Sequence, residues 1–405
     1  MKIEEISPDH IDSGGRVVPL DRLAGKAMPW ENRLATTDTE KFYHALANFA
    51  ATFAFKPDDR LVFLTDKLLD PRVVSAISGL ALAQGIRPVV VQTHTTNMLE
   101  IPDEVKPILE RATFVVSSWF CSAWHPYCIK LRREKGQRWV KITFFRNLDL
   151  LHTEQARFPT ELVGELVRAT AARFPRGRDY DMVFTDRRGS DLSIPLTARM
   201  VDGNLNTNRW RGEMLATSPG AYVHYLPTHG PNVYEPGPML DDPTDHASVN
   251  IQGTIYPQWA VGFERPFRER IGVRFDGNRI VEVTGSTQDA AILREMLIDG
   301  VLIELGCGFN PKWPRHQIYP AGSNSPGALH FGIDLKAPSA YIKKVMPNWE
   351  EPPVHMDLVT FDSTVEASGS RLVSDGFLEA LRDPAVVAIA SRYGDPVDLL
   401  ESWPD

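Results

Sequence analysis

The sequence predicts an α/β domain with a doubly wound, mostly parallel sheet, followed by a β-rich α+β domain. The first half alternates short apolar runs with helical patterns, whereas the second half consists mainly of short strands and turns. The length of 405 residues also suits two cores, because domains usually hold roughly 100–200 residues. We expect an N-terminal extension at 1–36, the α/β domain at 37–176 and the β-rich domain at 177–405.

The elements of the first half follow one another regularly. The stretch DTEKFYHALANFAATF is amphipathic at helical spacing. Buried strands are predicted in RLVFLTD, RPVVVQT and TFVVSSWF, with helices between them in DPRVVSAISGLALAQGI and PDEVKPILERA. Such strand–helix–strand units form parallel pairs with right-handed crossovers. The helix PTELVGELVRATAARF is expected to close this domain, which ends at FPRGRDYD.

The second half reads as a series of strands with one clear helix, TQDAAILREML. Strands are predicted in DMVFTD, DLSIPLTA, AYVHYLP, NIQGTIYP, VLIELGCG and ALHFGIDL. In VRFDGNRIVEV, Asp-Gly between two alternating runs indicates a hairpin. This pattern is typical of a β-rich α+β domain.

The composition disfavours several kinds of partner. Lys plus Arg is 44 and Asp plus Glu is 52, a net charge of −8 that repels nucleic acid and anionic lipid. Three cysteines without a CxxC or zinc-ribbon spacing indicate a reducing compartment. The chain lacks GxGxxG and GxxxxGK[ST] motifs, an apolar leader and any run of ~18 apolar residues. We expect a cytoplasmic protein that acts on a small molecule.

Four polar side chains lie within apolar strands of the second half. His355 and Asp357 in PPVHMDLV are two residues apart, so they share one face of an extended strand. Glu304 in VLIELGCG and His330 in ALHFGID have similar apolar neighbours. A buried carboxylate is costly unless it is paired or bound to a metal. Two imidazoles and two carboxylates predict a site for Zn, Mn, Co or Fe(II) rather than for Ca.

Simpler roles compete with metal binding at these positions. His355 alone could be a hydrogen-bonded core histidine, and Glu304 could form an ion pair with Lys312 or Arg315. Cys307, between two glycines, is most simply a small buried residue in a turn. Among the remaining histidines, His224 is the strongest alternative ligand, because it lies two residues after Tyr222 in a strand.

The order of these motifs resembles the thermophilic metalloprotease family typified by aminopeptidase T. The resemblance runs over residues ~40–365 and depends on SPGAYVHYLP, IELGCGFNP, ALHFGID and VHMDLV. It implies a pair of metal ions that activate a bridging water for peptide hydrolysis, and a dimer. It also implies that Glu304, His330, His355 and Asp357 are metal ligands.

One position departs from the family pattern. Where the family has its first ligating glutamate, this chain has Tyr222, a poor ligand because the unperturbed pKa of tyrosine is about 10. A related branch of the same fold, 2,5-dihydroxypyridine 5,6-dioxygenase, also lacks that glutamate and holds one Fe(II) by two histidines and one aspartate. That branch has a histidine at the position of Glu304 and no counterpart of His330.

The leading hypothesis is a metal-dependent hydrolase of an amide-like bond, with one tightly held divalent ion and a weaker second ion left open. Asp357 and His355 would hold the ion and His330 would complete its sphere. Glu304 would bridge two ions or act as general base, and Tyr222 would donate to the developing oxyanion.

The alternatives are an Fe(II) dioxygenase that cleaves a hydroxylated aromatic ring, with His330, His355 and Asp357 as a facial triad, and an inactive relative that keeps a structural metal.

The N-terminal extension predicts that the chain forms a homodimer. Trp30 and several prolines in 1–36 are typical of a segment that docks on another subunit, and the family that this chain resembles forms dimers. Sedimentation at micromolar concentration should therefore give twice the chain mass of 45.4 kDa. A single species at 45.4 kDa would contradict the prediction.

Overall fold

The computed structural model describes residues 9–11, 17–19, 48–94, 100–122, 125–142, 153–225, 232–234, 249–313, 325–337, 341 and 355–401. In this part of the chain, a five-stranded parallel sheet is followed by a large antiparallel sheet of twelve strands. The predicted fold class is confirmed. No helix within the described ranges is both long enough and apolar enough to cross a bilayer.

The strands are numbered in chain order: β1 (Asp9–Ile11), β2 (Val17–Pro19), β3 (Leu61–Asp66), β4 (Val89–Thr93), β5 (Phe114–Ser117), β6 (Arg138–Ile142), β7 (Tyr180–Asp186), β8 (Asp191–Leu196), β9 (Tyr222–Tyr225), β10 (Gln252–Ile255), β11 (Trp259–Ala260), β12 (Gly272–Asp276), β13 (Arg279–Thr284), β14 (Val301–Cys307), β15 (Leu329–Asp334), β16 (His355–Thr360), β17 (Ser363–Ala367), β18 (Ser370–Ser374) and β19 (Phe377–Leu378).

The α-helices are α1 (Pro71–Ala83), α2 (Lys106–Arg111), α3 (Pro126–Lys135), α4 (Glu154–Arg157), α5 (Thr160–Ala171), α6 (Ala198–Leu205), α7 (Gln288–Leu297), α8 (Pro384–Ala390) and α9 (Pro396–Leu400). The predicted helix that begins near residue 38 is described only from residue 48, where it is helical to residue 53. Most of the predicted N-terminal extension lies outside the described residues, apart from the antiparallel pair β1–β2.

The parallel sheet has the strand order β4-β3-β5-β6-β9. Helices α1, α2 and α3 connect successive strands from β3 to β6 and cover both faces of the sheet. The prediction that RPVVVQT is a buried strand is wrong, because β4 is an edge strand. Val89 is 49% exposed and Val90 is 45% exposed. An edge strand pairs on one side only, so its side chains have fewer neighbours.

The large sheet has the order β11-β16-β15-β14-β13-β12-β10-β8-β7-β17-β18-β19. The predicted hairpin is present as β12 and β13, with Gly277 at a φ of 64° in its turn, a conformation that glycine adopts without strain. Helix α7 starts after Thr287, whose side chain accepts a hydrogen bond from the N–H of Ala290.

The chain passes between the two sheets more than once. Helix α5, expected to close the α/β domain, buries Leu162 and Leu166 in the hydrophobic core of the large sheet. Strand β9 follows β7 and β8 along the chain, yet it pairs with β6 and extends the parallel sheet. The predicted division of the chain at residue 176 stays a prediction.

Strands β14, β15 and β16 are neighbours in the large sheet, and one face of each is apolar. Leu305, Phe331 and Leu358 are fully buried on this core face. Phe331 meets Phe184 of β7 edge to face, with 5.0 Å between the ring centroids. Because side chains alternate along a strand, the opposite face is left to Glu304 and the other polar residues of these strands.

A β-bulge at Ile303 decides the direction of Glu304. Leu302 pairs with Ile333, whereas Glu304 pairs with Gly332, so β14 supplies one extra residue at Ile303. In a regular strand without the bulge, Glu304 would share the core face with Leu302, because side-chain direction repeats every two residues. The bulge turns the carboxylate away from the core.

Candidate metal centre

Cross-strand pairing brings the four predicted ligands onto one face of the sheet. Residues directly opposite each other in an antiparallel pair share a face. Gly332 of β15 lies opposite Glu304 on one side and Asp357 on the other. His330, two residues before Gly332, therefore points to the same side, as does His355, two residues before Asp357.

The donor atoms of these residues lie close together. His355 Nε2 is 3.2 Å from Asp357 Oδ1 and 3.6 Å from Glu304 Oε1. The ligand atoms of Glu304, His355 and Asp357 all lie within 4.8 Å of one another. His330 is not part of this three-residue group, but its Nε2 lies 4.0 Å from Glu304 Oε1.

These spacings fit a single divalent ion. In a tetrahedral site with metal–ligand distances of ~2.0–2.2 Å, neighbouring ligand atoms are about 3.3–3.6 Å apart. The separations of 3.2 Å and 3.6 Å around His355 Nε2 lie close to that range. One imidazole and two carboxylates form a nitrogen and oxygen donor set, which suits Zn, Mn, Co or Fe(II). The residues present therefore fit the predicted class of metal, and the identity of the metal stays open.

Asp334 holds the other side of the His355 ring. Its Oδ1 lies 3.1 Å from His355 Nδ1, and the two residues are direct cross-strand partners. Metal-binding histidines usually donate their second ring N–H to a carboxylate, which fixes the ring and its tautomer. Sequence analysis missed Asp334, although its position two residues after Gly332 in the strand ALHFGID places it on the ligand face.

Asn232 contacts the other oxygen of Glu304. Its Nδ2 donates to Glu304 Oε2 at 2.8 Å, and the residue is almost fully buried. The next residues along the chain are tied to β14, because the backbone N–H groups of Val233 and Tyr234 both donate to Leu305 O. The sequence contains no signal for this contact, since Asn232 lies in a Gly/Pro-rich stretch.

Two glycines make room for the side chains of two predicted ligands. A Cβ at Gly332 would lie 2.3 Å from Glu304 Cγ, and a Cβ at Gly306 would lie 2.0 Å from ring atoms of His330. Any side chain at either position would displace the ligand that crosses above it. These positions need glycine because of close approach, rather than because of backbone conformation.

The structure bears on the simpler roles considered for Glu304, Cys307 and His224. The Lys312 ammonium donates to the Asp398 carbonyl oxygen, and Arg315 lies outside the described residues. Cys307 is buried at the end of β14, where its thiol contacts Gly308 O. His224 lies opposite Lys141 in the parallel sheet, and the direction of its side chain is not described.

Tyr222 lies in β9 of the parallel sheet. Its ring faces the Arg132 guanidinium, whose carbon is 4.3 Å from the ring centroid. Burial raises the pKa of the Tyr222 phenol above its ordinary value, which keeps the hydroxyl protonated and able to donate a hydrogen bond. The role of Tyr222 as a donor to a reacting group stays a prediction.

No protein-family model and no curated protein sequence matches the chain. Among solved structures, the chain is similar to 2,5-dihydroxypyridine dioxygenase from Pseudomonas putida KT2440, with a TM-score of 0.59 and 16% identity over 85% of this chain and 98% of that chain. It is also similar to AmpT from Thermus thermophilus, with a TM-score of 0.43 and 13% identity over 84% of this chain and 98% of that chain. The match to the dioxygenase shows a shared fold.

The position of Gly332 predicts that Gly332→Ala weakens metal binding. The added Cβ would push Glu304 out of the donor group, so the metal dissociation constant should rise at least about tenfold. Gly79→Ala is the matched control, because a Cβ at Gly79 in α1 meets nothing within 4 Å. Equilibrium dialysis against Zn(II) or Mn(II) measures both variants. Equal affinities in the two variants would contradict the prediction.

The shared donor group predicts that His355→Ala and Asp357→Ala each remove most of the bound metal while the chain stays folded. Each change deletes a donor atom within 4.8 Å of the other two. His125→Ala, which removes a histidine hydrogen-bonded to Glu100 in the α/β part, should keep the metal. Elemental analysis and circular dichroism make the comparison, and full occupancy in either site variant would show the assignment to be wrong.

Proposed function

We propose that this protein is a metal-dependent hydrolase that cleaves an amide-like or peptide-like bond in a small substrate. The observation that carries the proposal is the convergence of Glu304, His355 and Asp357 donor atoms on one sheet face. Two carboxylates in this group give it a net negative charge, which suits a Lewis-acidic divalent ion. Catalytic sites of this type commonly use three protein ligands and keep a position open for water or substrate.

Each residue of the site has a proposed part. Glu304, His355 and Asp357 hold the ion, and Asp334 fixes the His355 ring through Nδ1. A divalent ion in this position lowers the pKa of a bound water towards ~7 and polarises a substrate carbonyl. His330 lies beside Glu304 and outside the three-residue group. The sequence predicts His330 as a fourth ligand. We propose instead that its imidazole accepts the proton of the attacking water.

The proposed substrate is small because the acidic chain lacks features that would attract a nucleic acid or an anionic membrane. Tyr222 is kept as the proposed donor to the oxyanion that forms when water attacks the carbonyl. Its phenol remains neutral, as this role requires, because burial raises its pKa. The homodimer and the cytoplasmic location are part of the same proposal.

A second candidate function is supported by one observation, the fold shared with 2,5-dihydroxypyridine dioxygenase over 85% of this chain. In that case the protein would be a mononuclear Fe(II) enzyme that cleaves a hydroxylated aromatic ring. His330, His355 and Asp357 would then form the facial triad. At 16% identity the similarity supports the fold, whereas function depends on the site. We rank this candidate second because Glu304 adds another carboxylate to the donor group.

Metal content and oxygen uptake distinguish the two candidates. Protein purified without oxygen should contain about one Zn or Mn per chain and should release amine from a panel of dipeptides and amino-acid amides, without consuming oxygen. Chelation should abolish the turnover and the same metal should restore it, while His355→Ala serves as the inactive control. Iron at one per chain, with oxygen consumed as 2,5-dihydroxypyridine is cleaved, would contradict hydrolysis and favour the dioxygenase.

A further inference from the structure

The contact between Asn232 and Glu304 links the metal centre to a segment outside the three ligand strands. Asn232 lies between β9 of the parallel sheet and β10 of the large sheet. It is 3% exposed, and its Nδ2 donates to Glu304 Oε2 at 2.8 Å. Two backbone N–H groups just after it bond to Leu305 O. The amide is therefore held by the same strand that carries the carboxylate.

Because of this contact, the two Glu304 oxygens have different partners. Oε2 accepts the hydrogen bond from Asn232, whereas Oε1 faces His355 Nε2 at 3.6 Å and His330 Nε2 at 4.0 Å. A carboxylate that bridges two ions commonly gives one oxygen to each of them. With Oε2 engaged by a buried amide, Glu304 presents a single oxygen towards the other donors.

The β15 backbone at Gly332 also restricts the Glu304 carboxylate. A Cβ at Gly332 would lie 2.7 Å from Glu304 Oε1, so this oxygen crosses directly above the glycine. Glu304 is thus held between the β15 backbone and the Asn232 amide. Rotation of the carboxylate would weaken the hydrogen bond to Asn232, so this bond favours the orientation in which Oε1 faces His355 and His330.

We propose that Asn232 is a positioning residue that holds Glu304 as a one-oxygen ligand of a single ion. The inference rests on the proposed metal-dependent function and deepens it by assigning the residue that orients the Glu304 carboxylate towards the ion. Asn232 acts through Glu304, so its effect appears in metal affinity and in the geometry around the ion.

Two variants of the full-length chain test this inference. Asn232→Ala removes the amide, and Asn232→Leu removes the donor while keeping a similar volume, so it decides the matter if Asn232→Ala does not fold. Asn48→Ala is the matched control, because it removes a partly buried amide that donates to the Ala156 and Phe158 carbonyl oxygens in the α/β part. Calorimetric titration with Mn(II) measures stoichiometry and affinity. The visible absorption of Co(II) reports the geometry around the ion.

The wild-type chain should bind one ion, and both Asn232 variants should bind it about 10-fold to 100-fold more weakly with an altered Co(II) spectrum. Asn48→Ala should lose thermal stability and keep the wild-type affinity and spectrum. Two ions bound with similar affinity by the wild type, or Asn232 variants with unchanged affinity and spectrum, would overturn the role of Asn232. A wild-type chain that binds no ion would overturn the proposed function itself.

Discussion

The register of β14, β15 and β16 is the constraint on which the candidate metal centre depends. Leu305, Phe331 and Leu358 are buried on one face of these strands, and each large apolar side chain stabilises the fold by about 1.5–3 kcal/mol when it is fully buried. A slip of one residue would expose them and bury the polar face instead. The apolar core therefore fixes the register in which Glu304, Gly332 and Asp357 lie side by side across the three strands. The packing of the core, rather than an ion, positions these donors.

The same register places several carboxylates on one face of the sheet, and their mutual repulsion costs folding free energy unless a cation offsets it. Glu304 and Asp357 flank Gly332, and Asp334 lies on the same face. Hydrogen bonds from Asn232 to Glu304 and between Asp334 and His355 offset part of the repulsion. A divalent ion at the proposed centre would offset the rest, so metal binding and folding stability should be coupled.

Local patterns were enough to predict much of the fold and part of the site. Short apolar runs separated by helical patterns predicted the parallel strands. Polar residues in apolar strands predicted Glu304, His355 and Asp357, which the structure brings together. Features that depend on strand order were missed, because sequence periodicity does not show which strand lies at an edge or which sheet a strand joins. The bulge at Ile303 and the contact from Asn232 arise from pairing between distant segments, so neither has a local signal.

A sheet scaffold also explains how one fold can hold different metal chemistries. Backbone hydrogen bonds fix the spacing of β14, β15 and β16 whatever side chains they carry, so a ligand can change without disturbing the register. Replacing an imidazole with a carboxylate adds one negative charge to the donor set and shifts it towards harder, Lewis-acidic ions. The residue at position 304, more than the shared fold, is therefore expected to determine which ions the candidate site prefers.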